Sequence, residues 1–280
     1  MKEQVKLLRE KGLGINKIAK QLHIANYKVK EYLIELGLHV SSTSNKNGNN
    51  RKYFIDDDLF SKIDTEFKAY LLGLLYADGS VDVKKNGFSI SLQELDKDIL
   101  LKIKDGLNTK YPIHYHDSRY SKNHKFTTKV SLCPTNAKVV QDLIKLGCVP
   151  NKSDILKFPT SNQVPCELIH HFIRGYFDGD GTVYITNTGY IHFGIISTLE
   201  FCTDLLSYLP CDKVKISKEN RSNKNVWYFT VAKRKDVKSI YDYLYKDATI
   251  YLQRKYDKFK NFYLEKPSTT IIETPEMEMV

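Results

Sequence analysis

The chain predicts an α+β protein: two pseudo-symmetric αββαββα repeats with saddle-shaped antiparallel sheets, preceded by a small all-α domain. Three observations carry this expectation. First, two mostly apolar runs, Leu71-Leu72-Gly73-Leu74-Leu75-Tyr76-Ala77-Asp78-Gly79 and Ile173-Arg174-Gly175-Tyr176-Phe177-Asp178-Gly179-Asp180-Gly181, end alike in Asp-Gly. Each has a glycine five residues before that Asp, and the two stand 102 residues apart. Second, strand patterns and amphipathic helices follow each run in the same order. Third, residues 41–52 contain no apolar side chain and mark a boundary ahead of both repeats.

The N-terminal residues 1–40 read as three short helices. Val5, Leu7 and Leu8 line the first; Ile15, Ile18, Ala19 and Leu22 keep helical spacing in the second; Val29, Tyr32, Leu33 and Leu36 line a third over 26–36. A helix, a tight turn at His23-Ile24 and a second helix resemble a helix-turn-helix DNA-binding module, whose second helix enters the major groove. That resemblance puts Asn26, Lys28 and Lys30 against DNA. A small bundle that packs on the rest of the chain or on another protein is the other reading. Residues 41–52 read as a flexible basic linker.

Each apolar run reads as a helix. Gly73 and Gly175 lie inside, where glycine costs roughly 1 kcal/mol against alanine. Two helix backbones packed closely through these glycines would justify that cost. Asp78 and Asp180 would then lie side by side at two helix C-termini, where partial negative charge adds to their repulsion. A divalent cation would relieve it, and hard carboxylate oxygens favour magnesium or calcium. Gly79 and Gly181 stand where a helix C-terminal glycine belongs.

After the first run, strands are expected over 80–83 and 87–92 around an Asn86-Gly87 turn, then a helix over 96–107. A second hairpin follows over 111–117 and 125–132, then a helix over 136–146. This completes a first repeat over 53–149. Residues 150–165 form a proline-bearing connector. The second repeat, 166–264, gives strands 182–185 and 190–196, helix 199–209, strands 213–218 and 226–232, helix 235–245, and a last helix 251–264. Residues 265–280 read as a disordered tail.

The two runs resemble those of the LAGLIDADG homing endonucleases, in the single-chain form that carries two motifs. Tyr76 departs from the pattern where Asp178 keeps an acid, and Arg174 places a charge at a usually apolar or small position. The resemblance implies a double-strand break in duplex DNA, made by metal-dependent phosphodiester hydrolysis. It gives Asp78 and Asp180 the metal-binding catalytic role, with Mg2+ as cofactor and Mn2+ or Ca2+ as possible substitutes for binding. It places Gln93 and Lys233 around the metals to order water. Gly73 and Gly175 are helix-interface residues. Two alternatives share the architecture: a DNA-binding regulator without cutting activity, resembling the sporulation regulator WhiA, and an intron maturase.

The composition fits a double-stranded DNA partner. The formal net charge is +10, which points to a polyanion. Polar, basic positions on the sheets and their turns are candidates for the DNA contact. They are Lys84, Lys85, Arg119, Lys122, Lys125 and Lys129 in the first repeat, and Lys213, Lys215, Lys218, Arg221 and Lys224 in the second. The chain is expected to act as a monomer with internal pseudo-two-fold symmetry. No run has the length of a membrane span and no apolar signal segment follows Met1. Five scattered cysteines form no C-x-x-C pair, the pattern of free thiols in a reducing, intracellular compartment without a zinc site.

Overall fold

The computed structural model describes residues 1–10, 13–36, 53–118, 127–219 and 225–265. The chain divides into two compact units, Met1–Lys52 and Tyr53–Val280. The predicted linker 41–52 and almost all of the predicted tail lie outside the described residues.

The first unit holds α1 (Lys2–Glu10), α2 (Ile15–Leu22) and α3 (Asn26–Glu35) around Val5, Ile18, Ala19, Val29 and Leu33. The turn between α2 and α3 is closed by His23 in the left-handed region, φ 53°. That backbone usually favours glycine, and here a histidine adopts it.

The second unit repeats one order of elements. Its first half is α4 (Glu66–Asp78), β1 (Gly79–Asp82), β2 (Gly87–Gln93), α5 (Lys97–Gly106), β3 (Ile113–Ser118), β4 (Thr127–Leu132) and α6 (Ala137–Lys145). Its second half is α7 (Ile169–Asp180), β5 (Gly181–Ile185), β6 (Ile191–Ser197), α8 (Leu199–Tyr208), β7 (Ser217–Lys218), β8 (Trp227–Val231) and α9 (Arg234–Tyr245). A further helix, α10 (Gln253–Glu265), follows. The two antiparallel sheets have matching strand orders, β1-β2-β4-β3 and β5-β6-β8-β7. This is the predicted αββαββα duplication.

Local chemistry starts several helices where the patterns place them. Thr65 Oγ1 accepts from Lys68 N at 3.3 Å, Asn136 Oδ1 from Lys138 N at 3.0 Å, and Thr198 Oγ1 from Phe201 N at 3.2 Å. Helix α4 is apolar on every side from Ala69 to Tyr76 and is buried throughout that stretch, as a central helix must be.

Two expectations need correction. Gly79 and Gly181 do end their helices, but their backbones are extended (φ −84° and −83°) rather than left-handed. Each helix runs straight into a strand, and glycine is needed because a side chain there would press on Leu75 or Phe177 of the preceding turn. The strand expected over 213–218 pairs only at Ser217 and Lys218. Val214 and Ile216 do pack on the core as the alternation implies. Alternation reports which side chains face inward, and ladder pairing is a separate requirement.

Candidate metal and nucleic-acid site

The site begins with a reciprocal contact between α4 and α7. A Cβ placed on Gly73 would overlap the Phe172 carbonyl oxygen, and one on Gly175 would overlap the Tyr70 carbonyl oxygen. Each glycine therefore meets the residue three before the other glycine. One turn further on, a Cβ on Gly179 would overlap the Ala77 side chain and come within 3.0 Å of Asp78 Oδ2. The two helices touch backbone to backbone at Gly73 and Gly175 and stay in side-chain contact at their C-terminal ends, which brings Asp78 and Asp180 together.

The acids respond to that placement. Burial raises the Asp180 carboxyl to about 6, and the charge of Asp78 is the next contribution upward. Burial by the surrounding protein also raises Asp78, although the residue itself is exposed on its open side. Lys152 and Lys255 oppose both shifts, and Lys129 opposes that of Asp78. Two carboxylates crowded at helix C-termini, with an opening to solvent, form an oxygen-donor set that fits a hard divalent cation.

The two buried lysines were not among the predicted site residues. Lys152 Nζ donates to the Gly79 carbonyl at 2.5 Å. Lys255 Nζ donates to Phe177 O at 2.5 Å, Gly181 O at 2.6 Å and Asp178 O at 2.9 Å, with a longer contact to Gly179 O. They hold equivalent places under the two helix ends, where a cation meets the negative pole of the backbone. Burial lowers the Lys255 amine to about 8. The sequence did carry a signal: Lys152-Ser153-Asp154 and Lys255-Tyr256-Asp257 share Lys-x-Asp at close to the repeat spacing.

The two departures from the motif pattern have structural roles. Tyr76 donates its hydroxyl to the Leu146 carbonyl. Asp178, at the matching place in α7, is buried and accepts from Tyr70 Oη at 2.8 Å and Leu252 N at 2.7 Å. Arg174 is fully buried. It donates to Glu66 Oε1 at 2.5 Å, Leu244 O at 2.7 Å and Ile250 O at 3.0 Å, while Glu66 accepts from Thr249 and Ile250. The charge ties the start of α4 to the chain entering α10.

Of the other predicted residues, Gln93 ends β2, exposed and directly opposite Lys129 on β4. Its register counterpart in the second repeat is Thr198, whose hydroxyl donates to Leu156 O and caps α8. The second repeat thus has no equivalent of Gln93. Lys233 is a correction. It stands at the start of α9, exposed and paired with Asp212 at 2.5 Å. The amines that act on the two acids are Lys152, Lys255 and Lys129 instead.

Lys84 and Lys85 lie in the exposed β1–β2 turn, where Lys85 approaches Asp82. Lys213 and Lys215 are exposed ahead of β7. Lys218 pairs with Trp227, which puts it on the opposite sheet face from Tyr228. In the first unit, Asn26 donates to Asn16 at 3.0 Å, Lys28 pairs with Glu31 at 2.9 Å, and Lys30 is exposed. Arg119, Lys122, Lys125, Arg221 and Lys224 lie outside the described residues.

One other ligand cluster stands among the described residues, His170, His171 and Asp247. It does not suit a metal. His171 Nδ1 accepts from Arg174 Nη1 at 2.8 Å. The neutral ring therefore carries its proton on Nε2, the atom that faces Asp247.

The fold and its seam define a two-repeat α+β protein with one acid from each repeat at the centre. Residues 167–245 match the model of the LAGLIDADG-like domain. The match lies in the second repeat and includes the run 173–181, where it bears out the resemblance read from the sequence. A stretch of 122 residues is 30% identical to the DNA-directed RNA polymerase subunit Rpo1C of Methanocaldococcus jannaschii. It covers 44% of this chain and 13% of that subunit, so the chain spans only a small part of the relative's length. Among solved structures, the LAGLIDADG meganuclease I-AabMI bound to uncleaved DNA is 15% identical, with 72% of this chain and 90% of that one covered and a TM-score of 0.46. The I-LtrWI LAGLIDADG homing endonuclease bound to target DNA is 12% identical, covering 71% and 89%, with a TM-score of 0.47. Among the described residues, no helix is long and apolar enough to cross a membrane.

Proposed function

We propose that the chain is a site-specific, metal-dependent DNA endonuclease that hydrolyses one phosphodiester in each strand of a duplex. The observation that carries this reading is the reciprocal glycine contact, which brings Asp78 and Asp180 together at a solvent-open seam, where the Asp78 charge helps to raise the Asp180 carboxyl. Asp78 and Asp180 would hold Mg2+, with Mn2+ or Ca2+ able to take the same oxygens. A cation bound there supplies Lewis-acid stabilisation for the charge that builds on the phosphate oxygens.

The protein's own groups do the rest. Lys152 and Lys255 fix the helix ends, so the acids keep their separation when a charged phosphate arrives. Gln93, at the end of β2, and Lys129, opposite it on β4 and acting on Asp78, orient water and the phosphate. The basic turns hold the DNA backbone. The helix-turn-helix reading of α2 and α3 adds a second DNA contact, through Lys28 and Lys30.

The test is selection of cleaved sites from a random duplex library with Mg2+. One site is expected, cut in both strands. Asp78→Asn and Asp180→Asn should bind that site with affinity within about threefold of the parent and leave it intact. A wild-type chain that binds duplexes of the library and cuts neither strand of any of them would overturn the nuclease step.

A further inference from the structure

The two sheets have parallel architecture and unlike outer faces. Directly paired residues in an antiparallel sheet share a face. In the first sheet, the side away from the core carries Ser89, Ser91 and Gln93 on β2, opposite Ser131 and Lys129 on β4 and His114 and His116 on β3. All are polar, and several are bonded to one another: Ser89 Oγ lies 3.3 Å from Ser80 Oγ, and His116 Nε2 lies 2.8 Å from Ser131 Oγ.

The second sheet differs. Its outer face pairs Tyr184 with His192, Thr182 and Thr230 with Gly194, and Ile196 with Tyr228. No formal charge stands on these six strand positions and Gly194. Tyr184, Ile196 and Tyr228 are 44%, 38% and 40% exposed, although each is large and carries much apolar surface. The register sets Ile196 at the place of Ser91, since Ile195 faces Gly181 as Ile90 faces Gly79. Gly194 is fitted to this face. A Cβ there would stand 2.8 Å from Thr182 Oγ1 and 3.5 Å from Thr230 Oγ1, so the two threonines close over it.

Base edges in the major groove offer one strongly apolar feature, the C5-methyl group of thymine; the rest are donors and acceptors. We infer that the two sheets divide a duplex by chemistry: the second sheet reads thymine methyls through Ile196, Tyr228 and Tyr184, and the first reads hydrogen-bonding edges. The inference rests on the DNA reading above and assigns its specificity. The occupant is a duplex because the acids at the seam join both sheets and the chain is strongly basic. The target is therefore asymmetric, with its thymine-dependent half under β5, β6 and β8. The Ile196–Tyr228 row adjoins the seam. The Tyr184–His192 row lies four residues along β6, about 13 Å at strand spacing. At about 3.4 Å per step, the two thymine positions are about four base pairs apart.

The experiment takes the selected site and replaces thymine by uracil in one half at a time. Uracil keeps every hydrogen-bonding edge and lacks only the methyl. Binding is measured in Ca2+, with the wild-type chain. Uracil in one half should weaken binding by about fourfold for each contacted methyl; uracil in the other half should change it by less than twofold. 5-Bromouracil, which restores bulk at C5, should restore affinity. In Ile196→Ser, the penalty at the position nearest the cut should fall below twofold. Equal penalties in both halves, or none in either, would overturn the inference and leave the DNA reading standing. Recovery of no bound site from the library would overturn both.

Discussion

Asp180 is held under tension by its neighbours, and its folded-state carboxyl near 6 lies above the ordinary value of 3.8. The folded protein therefore holds that proton more tightly than the unfolded chain. The contribution to stability is full below about pH 4 and is lost as pH rises through 6. Asp180→Asn, without divalent cation, should be more stable than the parent at pH 8 by about 1–2 kcal/mol. Thermal melts at pH 8 and pH 4 check this, with the difference gone at pH 4. His171 works in the opposite sense. Burial and the Arg174 charge lower it to about 4, so its contribution is present above 6.5 and lost as pH falls toward 4. His171→Gln should flatten the loss of stability between pH 6.5 and 4.5 by about 1–2 kcal/mol, read by urea titration at each pH. At this scale, sequence and structure agree on where the two acids lie and part for the lysines. Asp78 and Asp180 were legible because each closes a repeated run. Lys152 and Lys255 carried only the weak mark of a shared Lys-x-Asp, because nothing local shows that a lysine's amine is buried against carbonyls. Lys233 was misplaced because position at a strand end does not say where a side chain finds its partner, which here is Asp212.

The α4–α7 pair shows what an interior glycine can report. Its helical cost makes sense only against a close neighbour, so the contact was readable before the fold was known. Gly73→Ala and Gly175→Ala each put a methyl into the opposing backbone. Each should destabilise by about 3 kcal/mol or more, at the upper end of overpacking costs. The double variant should cost less than the sum, since one separation of the helices accommodates both methyls. Chemical denaturation of the three variants measures this. Lys255→Met should cost about 2–4 kcal/mol by leaving the end of α7 with buried, unpaired carbonyls. The hairpins were legible from Asn86-Gly87 and Gly189, both at turns with positive φ at Asn86 and Gly189. The short pairing of β7 was not, because Val214 and Ile216 show the same alternation whether or not the backbone joins the ladder.

For the whole molecule, the two cores are separate: one around Val5 and Leu33, the other running through both repeats. Removing residues 1–40 should leave the principal melting transition within about 2 °C of the full chain, since it takes no packed residue from the larger core. The same truncation should weaken DNA binding if α3 contacts the groove, as a gel-shift titration on the selected site would show. The repeat itself was legible from an offset of 102 residues between the two runs, which drifts by a few residues elsewhere along the chain. The contact at its centre has a further consequence. Gly73 meets Phe172 as Gly175 meets Tyr70, the self-complementary pattern that two copies of one subunit make across a dyad. Here it is written once, in a single polypeptide. A symmetric dimer must change both copies together, whereas this chain can alter one half alone. Tyr76 facing Leu146 and Asp178 gripping Leu252, or serine in one place and isoleucine in its mirror position, are changes that only a covalently joined pair is free to accumulate.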